Sequence, residues 1–319
     1  MNDRLIFAPL ITAQDDGGAG RIAYQAVRGR VHSAQLAGID ALLIDDRQAG
    51  ACEFEAGTLA AALAVATEQI GLVASFSTEY LEPYHVARLV ATVDYLSGGW
   101  AGWEVAAPSD DDEAANYRRG HAASHDRQLT RAEEFTRVIT GLWDSFQDDA
   151  FLRDRESGVY FVPDRLQALD HKGDFFDVAG PLNIARPPQG HPVLLRRVRT
   201  VKDAEFAGRA ADVAVVPVGQ AAEIARIGET VRGAADRSGR AETDVLLLLE
   251  VAVDSEFKLF HKDTVDGFVL MPPQGTPEAA HAALLKCAAA LRCGTAVRRD
   301  NSLRARLGLR RPAGRRTVS

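Results

Sequence analysis

Short apolar segments alternate along the chain with segments of helical periodicity. Apolar runs rich in leucine and β-branched residues are typical of strands buried on both faces of a parallel sheet. Eight such runs predict strands, at Leu5–Ile11, Ala41–Ile44, Ile70–Phe76, Trp103–Ala106, Val193–Leu195, Ala211–Val216, Val245–Val253 and Gly267–Leu270. The segments between them predict helices, at Arg21–Leu36, Gly57–Gln69, Tyr84–Leu96, Thr130–Ser145, Ala221–Ala235 and Pro277–Leu291. This order predicts an α/β fold, and eight strands favour a closed (β/α)8 TIM barrel over an open sheet.

Two segments depart from the regular alternation. Residues 150–192 form a long excursion without a predicted helix, in which Phe175–Val178 is a predicted extra strand. Only Asp254–Asp266 separates the seventh strand from the eighth, whereas a parallel crossover that contains a helix needs about a dozen residues or more. We therefore predict a shortened or missing seventh βα unit. For the fourth helix, the spacing of Thr130 and Glu133 matches a capping box and predicts that the helix begins there.

Composition and charge fit one globular domain. Of 319 residues, 46% are hydrophobic and 25% are charged, and this balance is ordinary for a folded protein. We predict a single barrel domain over residues 1–309 and a basic tail over residues 310–319, which is either solvated or an anion-binding arm. The net charge of −7 argues against non-specific binding to nucleic acid.

Several other features bear on location and metals. The longest apolar stretches, Ala60–Ala66 and Val245–Val253, are far shorter than the roughly 20 residues of a membrane span. The first residues do not have the pattern of a signal peptide. The three cysteines, Cys52, Cys287 and Cys293, show no paired spacing, which favours a reducing compartment. We therefore expect a cytoplasmic protein without a membrane partner, and no metal site is indicated.

A resemblance to a known family rests on several motifs. The segment Thr67–Pro108 contains a strand that ends in serine, then Pro83-Tyr84-His85-Val86-Ala87-Arg88, then Ser97-Gly98-Gly99. Further matches follow downstream, at Arg131–Phe135, Leu142–Ser145, His171–Gly173, Gly180–Leu182, Pro188–Val193 and Leu303–Pro312. With these motifs the chain resembles the flavin-dependent monooxygenases of the bacterial luciferase-like superfamily. It is most similar to the branch of nitrilotriacetate and dibenzothiophene-sulfone monooxygenases, which also implies a (β/α)8 barrel.

The resemblance implies an activity and its partners. Members of the family are the oxygenase half of two-component systems, which receive reduced FMN from a separate flavin reductase and oxidise an organic substrate with O2. The cofactor implied is therefore FMN. The partners implied are a small organic substrate, O2, a flavin reductase and a second copy of the chain in a homodimer.

The resemblance also implies site residues. The candidate flavin contacts are Asp46, Ser75, Ser77, Trp103, Arg196, Arg199 and Thr200. The candidates for catalysis are Glu104 and His125, and the histidine could act in acid–base chemistry at the barrel mouth. Four positions depart from the family pattern, where Glu104, Ala107, Leu129 and Val198 replace an Asn, a Thr, a Tyr and a Gly. A carboxylate at position 104 repels a reduced, anionic flavin unless it is protonated or paired with an arginine.

The flavin phosphate is expected at Arg196–Thr200, directly after the fifth strand. Arginine charge would there replace the small Gly-Ser loop of the family. Side chains alternate along a strand, so Arg196 and Arg199 cannot both face the site if the strand continues. If a helix begins at Thr200, one arginine and the Thr200 hydroxyl can converge on one anion.

Other interpretations stay open. Asp46 fits a helix cap or turn as well as a site residue, Ser75 and Ser77 fit a polar strand end, and His125 fits a solvated loop. The four departures also allow a different function, that of a degenerate barrel which binds a small molecule or a partner without oxygenase activity. A third hypothesis is a barrel enzyme that uses His125 for acid–base chemistry without a flavin.

Overall fold

The structure, a computed structural model, describes residues 4–12, 24–46, 54–106, 111–117, 123–253, 264–292 and 300–314. The first strands are β1 Leu5–Pro9, β2 Ala41–Ile44, β3 Gly71–Ser77 and β4 Ala101–Ala106, followed by the short strands β5 His171–Lys172 and β6 Asp177–Val178. The last strands are β7 Val193–Arg197, β8 Val213–Val216, β9 Leu246–Ala252 and β10 Gly267–Met271. The helices are α1 Tyr24–Leu36, α2 Ala56–Ala64, α3 Pro83–Leu96, α4 Asp111–Ala115, α5 His125–Trp143, α6 Val201–Ala210, α7 Ile224–Arg237, α8 Pro277–Leu291 and α9 Leu303–Arg306.

Eight parallel strands close into a barrel in the order β1-β2-β3-β4-β7-β8-β9-β10, and β10 pairs with β1. This closed order confirms the predicted (β/α)8 TIM barrel. The strands β5 and β6 form a separate antiparallel hairpin, so the extra strand predicted at Phe175–Val178 exists only as its last two residues.

Side chains alternate between the barrel lumen and the layer between barrel and helices. Phe7, Leu43, Val73 and Leu195 lie in the lumen cluster, where they form an apolar floor. The neighbouring positions face outward and form the larger core against the helices. Parallel strands covered on both faces are apolar along their whole length for this reason.

The C-terminal residues close the N-terminal end of the barrel. Leu303, Leu307 and Leu309 belong to the lumen cluster, and the backbone N–H of Leu303 donates to the carbonyl of Gly99 at 2.8 Å. A Cβ placed on Gly71 would lie 2.7 Å from Leu303 Cδ1. The absence of a side chain at Gly71 therefore makes room for the leucine plug.

Buried ion pairs hold the plug in place. Arg304 Nη2 lies 2.6 Å from Asp212 Oδ2, and Arg306 Nη1 lies 3.2 Å from Asp40 Oδ1. The two aspartates also accept N–H groups from neighbouring strands, those of Leu194 and Ile6. Each carboxylate therefore ties the plug to the sheet itself.

Several helix predictions need correction, and helix α2, for example, ends at Ala64 and not at Gln69. Helix α5 begins at His125, after Ser124, and not at Thr130, whose hydroxyl donates to the Asp126 carbonyl inside the helix. The proposed capping partner, Glu133, pairs instead with Arg209. Helix α6 was not among the predicted helices, although a helix start at Thr200 was the condition considered for the anion site.

The seventh unit and the tail lie partly outside the described residues. Between β9 and β10 the structure describes only Val253 and residues 264–266, and no helix falls on them. In the tail, Arg310 pairs with Asp244 and Arg311 pairs with Asp148. Arg315 and Arg316 lie outside the described residues.

Candidate functional site

Polar side chains occupy the lumen at the C-terminal ends of the strands, above the apolar floor. Alternation along β2, β4, β7 and β9 directs Asp45, Glu104, Arg197 and Glu250 to the same interior face as the floor residues. The C-terminal mouth is where barrel enzymes carry their active sites. These four side chains form what we call the mouth network.

Arg197 is the centre of the mouth network. Its Nη1 donates to both carboxylate oxygens of Glu104, at 2.6 and 2.8 Å. Its Nε lies 3.3 Å from Glu250 Oε1, and its Nη2 lies 3.4 Å from Asp45 Oδ1. One guanidinium thus contacts three carboxylates. The network carries a net negative charge when all three are ionised.

Glu104 is the most perturbed acid of the network. Its side chain is 4% exposed, and this burial, opposed by Arg197, raises its pKa to about 7. Asp45 adds to the rise through its own negative charge. Glu104 can therefore hold or release a proton close to neutral pH, and it is also paired with an arginine. The proton and the arginine are the two conditions expected for a carboxyl beside an anionic ligand, and the arginine is shared with Asp45 and Glu250.

Two serines lie beside Glu104 on the next strand. Ser75 is the register partner of Glu104, and Ser77 is the partner of Ala106. Both serines are buried, with 5% exposure each. The Ser77 hydroxyl has no hydrogen-bond partner among the described residues. A buried hydroxyl without a partner is costly, so this oxygen is suited to a bound ligand.

Two of the expected flavin contacts do not reach the lumen. Trp103 is fully buried in the outer core, edge-on to Trp143 at 5.9 Å. Arg196 also faces outward. Its Nη1 donates to the Val105 carbonyl at 2.8 Å and its Nη2 to Asp203 Oδ1 at 2.5 Å. Strand phase explains both placements, since Glu104 and Arg197, one residue further on, face inward.

The loop after β7 is folded around Asp203. Helix α6 begins at Val201 with Thr200 as its N-cap. The backbone N–H groups of Arg199 and Thr200 donate to Asp203 Oδ2 at 3.1 and 2.9 Å. The Thr200 hydroxyl donates to the same oxygen at 3.0 Å. The Arg199 side chain is exposed.

The structure brings His125 to this loop. Its Nε2 lies 3.4 Å from Thr200 Oγ1 and 3.8 Å from Asp203 Oδ2. Asp46 lies elsewhere at the mouth, near Tyr117, whose pKa is raised by burial and also by the charge of Asp46. His125 and Thr200 therefore meet, whereas Asp46 is not among the partners of Arg197.

Two of the other departures from the family pattern, Leu129 and Val198, have structural roles in this chain. Leu129 and Val198 are buried in the outer core, and Ala107 lies outside the described residues. The site predicted from the sequence included Arg196 and Arg199 but not Arg197, Asp45 or Glu250. Side chains alternate along a strand, so residues two positions after the inward-facing Leu43, Leu195 and Leu248 also face the lumen. This alternation could have identified Asp45, Arg197 and Glu250.

None of the described helices is long and apolar enough to cross a membrane. Within the described ranges, no group of three His, Cys, Asp or Glu side chains is arranged to hold a metal ion.

Comparison with known proteins identifies relatives of the chain. The profile of the luciferase-like monooxygenase family matches residues 4–290. The chain is 41% identical over 194 residues to N-acetyl-S-(2-succino)cysteine monooxygenase of Bacillus subtilis (strain 168), covering 60% of the chain and 44% of the relative. It is 39% identical over 221 residues to nitrilotriacetate monooxygenase component A of Aminobacter aminovorans, covering 68% and 48%. The chain thus spans less than half the length of these two curated relatives.

Similarity of fold extends further than similarity of sequence. EDTA monooxygenase from Chelativorans sp. BNC1 superposes with a TM-score of 0.82 and 22% identity, over 97% of this chain and 99% of that chain. At this identity the match demonstrates a common fold. The sequence relatives, which include nitrilotriacetate monooxygenase component A, confirm the resemblance to that branch.

Proposed function

Because the chain belongs to the luciferase-like monooxygenase family, we propose that it is the oxygenase component of a two-component flavin-dependent monooxygenase. The observation that carries the proposal is the mouth network with its adjacent serines, which places an arginine, a protonatable carboxyl and an unpartnered hydroxyl over an apolar floor. The relatives named nitrilotriacetate monooxygenase component A and N-acetyl-S-(2-succino)cysteine monooxygenase support the reaction class.

The lumen residues fit the ring system of a reduced flavin. Bound reduced FMN supplies the electrons with which O2 is activated. Protonation of Glu104 removes one of the three carboxylates around Arg197 and so reduces the repulsion of an anionic ring. The hydroxyls of Ser75 and Ser77 can donate to ring carbonyl or nitrogen atoms. The apolar floor excludes water from the enclosed side.

The loop Arg196–Thr200 fits a cofactor phosphate poorly, because Asp203 already takes its donors. Of the three loop residues expected to bind phosphate, only Arg199 has an exposed side chain that no described residue binds. His125 stays a candidate for proton transfer, since it lies at the mouth and is partly exposed.

Anaerobic titration with dithionite-reduced FMN tests the proposal. We expect micromolar binding to the wild type, and the double variant Glu104→Gln/Arg197→Gln should bind reduced FMN about 10- to 100-fold more weakly, the scale of a charge-assisted hydrogen bond. The paired change avoids leaving Glu104 without its cation; Asp45 and Glu250 lose the same cation, so circular dichroism must show that the variant folds. Oxygen consumption with a flavin reductase and NADH then tests the reaction itself.

The degenerate barrel is the second candidate, and the anion loop filled by Asp203 favours it. Absence of binding for oxidised and reduced FMN up to about 1 mM, about −4 kcal/mol, would support it over the monooxygenase.

We also propose a homodimer, since the resemblance implies one. Sedimentation equilibrium at micromolar concentration should give twice the chain mass of 34.4 kDa, and a monomer would contradict it.

A further inference from the structure

The start of helix α6 has the geometry of an anion site. Backbone N–H groups at the beginning of a helix point out of its end and carry partial positive charge, and they bind phosphate in many proteins. Helix α6 follows β7 directly, at the C-terminal mouth of the barrel, and runs over Val201–Ala210. The loop therefore lies at the same end of the barrel as the mouth network.

An internal carboxylate already binds the donors of the two residues that precede this helix. Asp203 accepts two backbone N–H groups of the loop and the Thr200 hydroxyl, all on Oδ2. Its other oxygen accepts Arg196 Nη2 at 2.5 Å. The Asp203 side chain is 1% exposed. Four donors at this loop, namely two backbone N–H groups, one hydroxyl and one guanidinium nitrogen, are therefore engaged within the chain.

Asp203 is ionised at neutral pH. Burial alone would raise its pKa, but the charge and hydrogen bond of Arg196, together with the donors of Thr200 and Arg199, lower it below the usual value. A phosphate at the same donors would meet a fixed negative charge and would have to break these hydrogen bonds. Displacing Asp203 would also leave the buried guanidinium of Arg196 without its partner.

From this geometry we propose that Asp203 is a built-in substitute for a ligand phosphate, so that the mouth recognises a flavin by its ring system and not by its phosphate. The proposal rests on the proposed flavin function. It predicts that riboflavin and FMN are equivalent ligands, unlike the phosphate contact expected from the sequence at Arg196–Thr200. The side chain of Arg199, which does not contact Asp203, then contributes little to flavin affinity.

Calorimetric titration of the wild type with FMN and with riboflavin is the first test. The two dissociation constants should agree within a factor of about two, and Arg199→Ala should leave both unchanged. A preference for FMN of tenfold or more in the wild type, reduced by Arg199→Ala, would overturn the proposal.

Two variants of α6 sharpen the test. Asp203→Gly frees the loop donors and should create a preference for FMN over riboflavin of at least fivefold. Glu205→Gly removes a carboxylate from the same helix, where Glu205 lies near Arg209 and not at the loop, and should leave the two flavins equivalent. A ratio near one in a folded Asp203→Gly protein, as judged by circular dichroism, would count against Asp203 as the blocking group. If Asp203→Gly does not fold, the wild-type ratio decides alone.

Inorganic phosphate separates this proposal from the proposed function. If neither flavin binds, the monooxygenase assignment fails, but the loop can still be examined by thermal unfolding in phosphate against chloride at equal ionic strength. The wild type should show no phosphate-specific rise in Tm, whereas Asp203→Gly should show one. A phosphate-specific rise in Tm of several degrees in the wild type would contradict the proposal that Asp203 takes the place of a ligand phosphate.

Discussion

At the scale of single residues, the proton on Glu104 links stability to pH. Its pKa in the folded protein, about 7, lies above its ordinary value of 4.5, so the folded state binds this proton more tightly than the unfolded chain. Its contribution to stability is fully present below pH 4.5 and is lost as the pH rises through 7. The full effect is about 3 kcal/mol.

Glu104→Gln should therefore flatten the pH dependence of the free energy of unfolding between pH 4.5 and 7, as measured by urea denaturation. Part of the slope will remain, because burial also raises the pKa of Asp94 to about 6. Equal slopes for wild type and variant would show that Glu104 titrates normally.

The unpartnered hydroxyl of Ser77 gives a second prediction. Ser77→Ala removes a buried hydroxyl with no described partner, so the free energy of unfolding should stay level or rise by up to about 1 kcal/mol. Affinity for reduced flavin should fall, because a ligand donor is lost. The control is Ser145→Ala, which removes the acceptor of the Leu182 N–H and should lower stability. A loss of stability in Ser77→Ala without loss of affinity would assign Ser77 a structural role.

The sequence anticipated the chemical problem at position 104 but not its partner. A carboxylate at a flavin site requires a proton or an arginine, and this follows from the residue type alone. Which arginine pairs with Glu104 depends on the phase of β7, since Arg196 and Arg197 point to opposite faces. The predicted strand ended at Leu195. In the structure it continues to Arg197, and this continuation directs Arg197, and not Arg196, into the lumen.

At the scale of secondary structure, two threonines test where helices begin. Thr200 caps α6 through a capping box with Asp203, whereas Thr130 lies within α5 on the exposed side. Thr200→Ala should cost about 1 kcal/mol. Thr130→Ala should be neutral or slightly stabilising, because alanine has the higher helix propensity. Thermal denaturation of the two variants measures this difference in stability. A larger loss of stability in Thr130→Ala than in Thr200→Ala would support Thr130 as a helix cap.

The capping-box pattern failed at Thr130 because a threonine followed three residues later by glutamate also fits a helix interior. The true start, at His125, carries no such pattern, and Ser124 makes no side-chain capping bond. By contrast, α8 was predicted with its observed bounds, since Thr276 caps it and Pro277 follows. Local sequence thus locates helix starts where cap and proline agree.

At the scale of the whole molecule, the glycine below the plug gives a stability prediction. Gly71→Ala sets a methyl group against Ala41 Cβ and Leu303 Cδ1, both at 2.7 Å, and should cost about 1–3 kcal/mol. Gly29→Ala is the matched control. It lies in α1 with nothing within 4 Å of the new Cβ, and should stabilise by up to about 1 kcal/mol. Urea denaturation of both variants checks the pair, and equal effects would contradict the close packing.

The architecture of the barrel was predictable, whereas its closure at the base was not. Eight apolar runs separated by helical segments specify a parallel barrel because each strand needs cover on both faces. Nothing in the pattern of Leu303–Leu309 distinguishes it from a surface helix. Its role follows from two distant glycines, Gly71 and Gly102, whose missing side chains leave space for Leu303.

The position of the plug also has a consequence for biosynthesis. The N-terminal part of a nascent chain leaves the ribosome first, so β3 and β4 emerge long before Leu303. Until then the space beside Gly71 and Gly102 has no leucine to fill it, and Asp40 and Asp212 lack the arginines at positions 306 and 304. A nascent barrel can therefore acquire its strands in order, but its base is sealed only when residues 303–309 have left the exit tunnel.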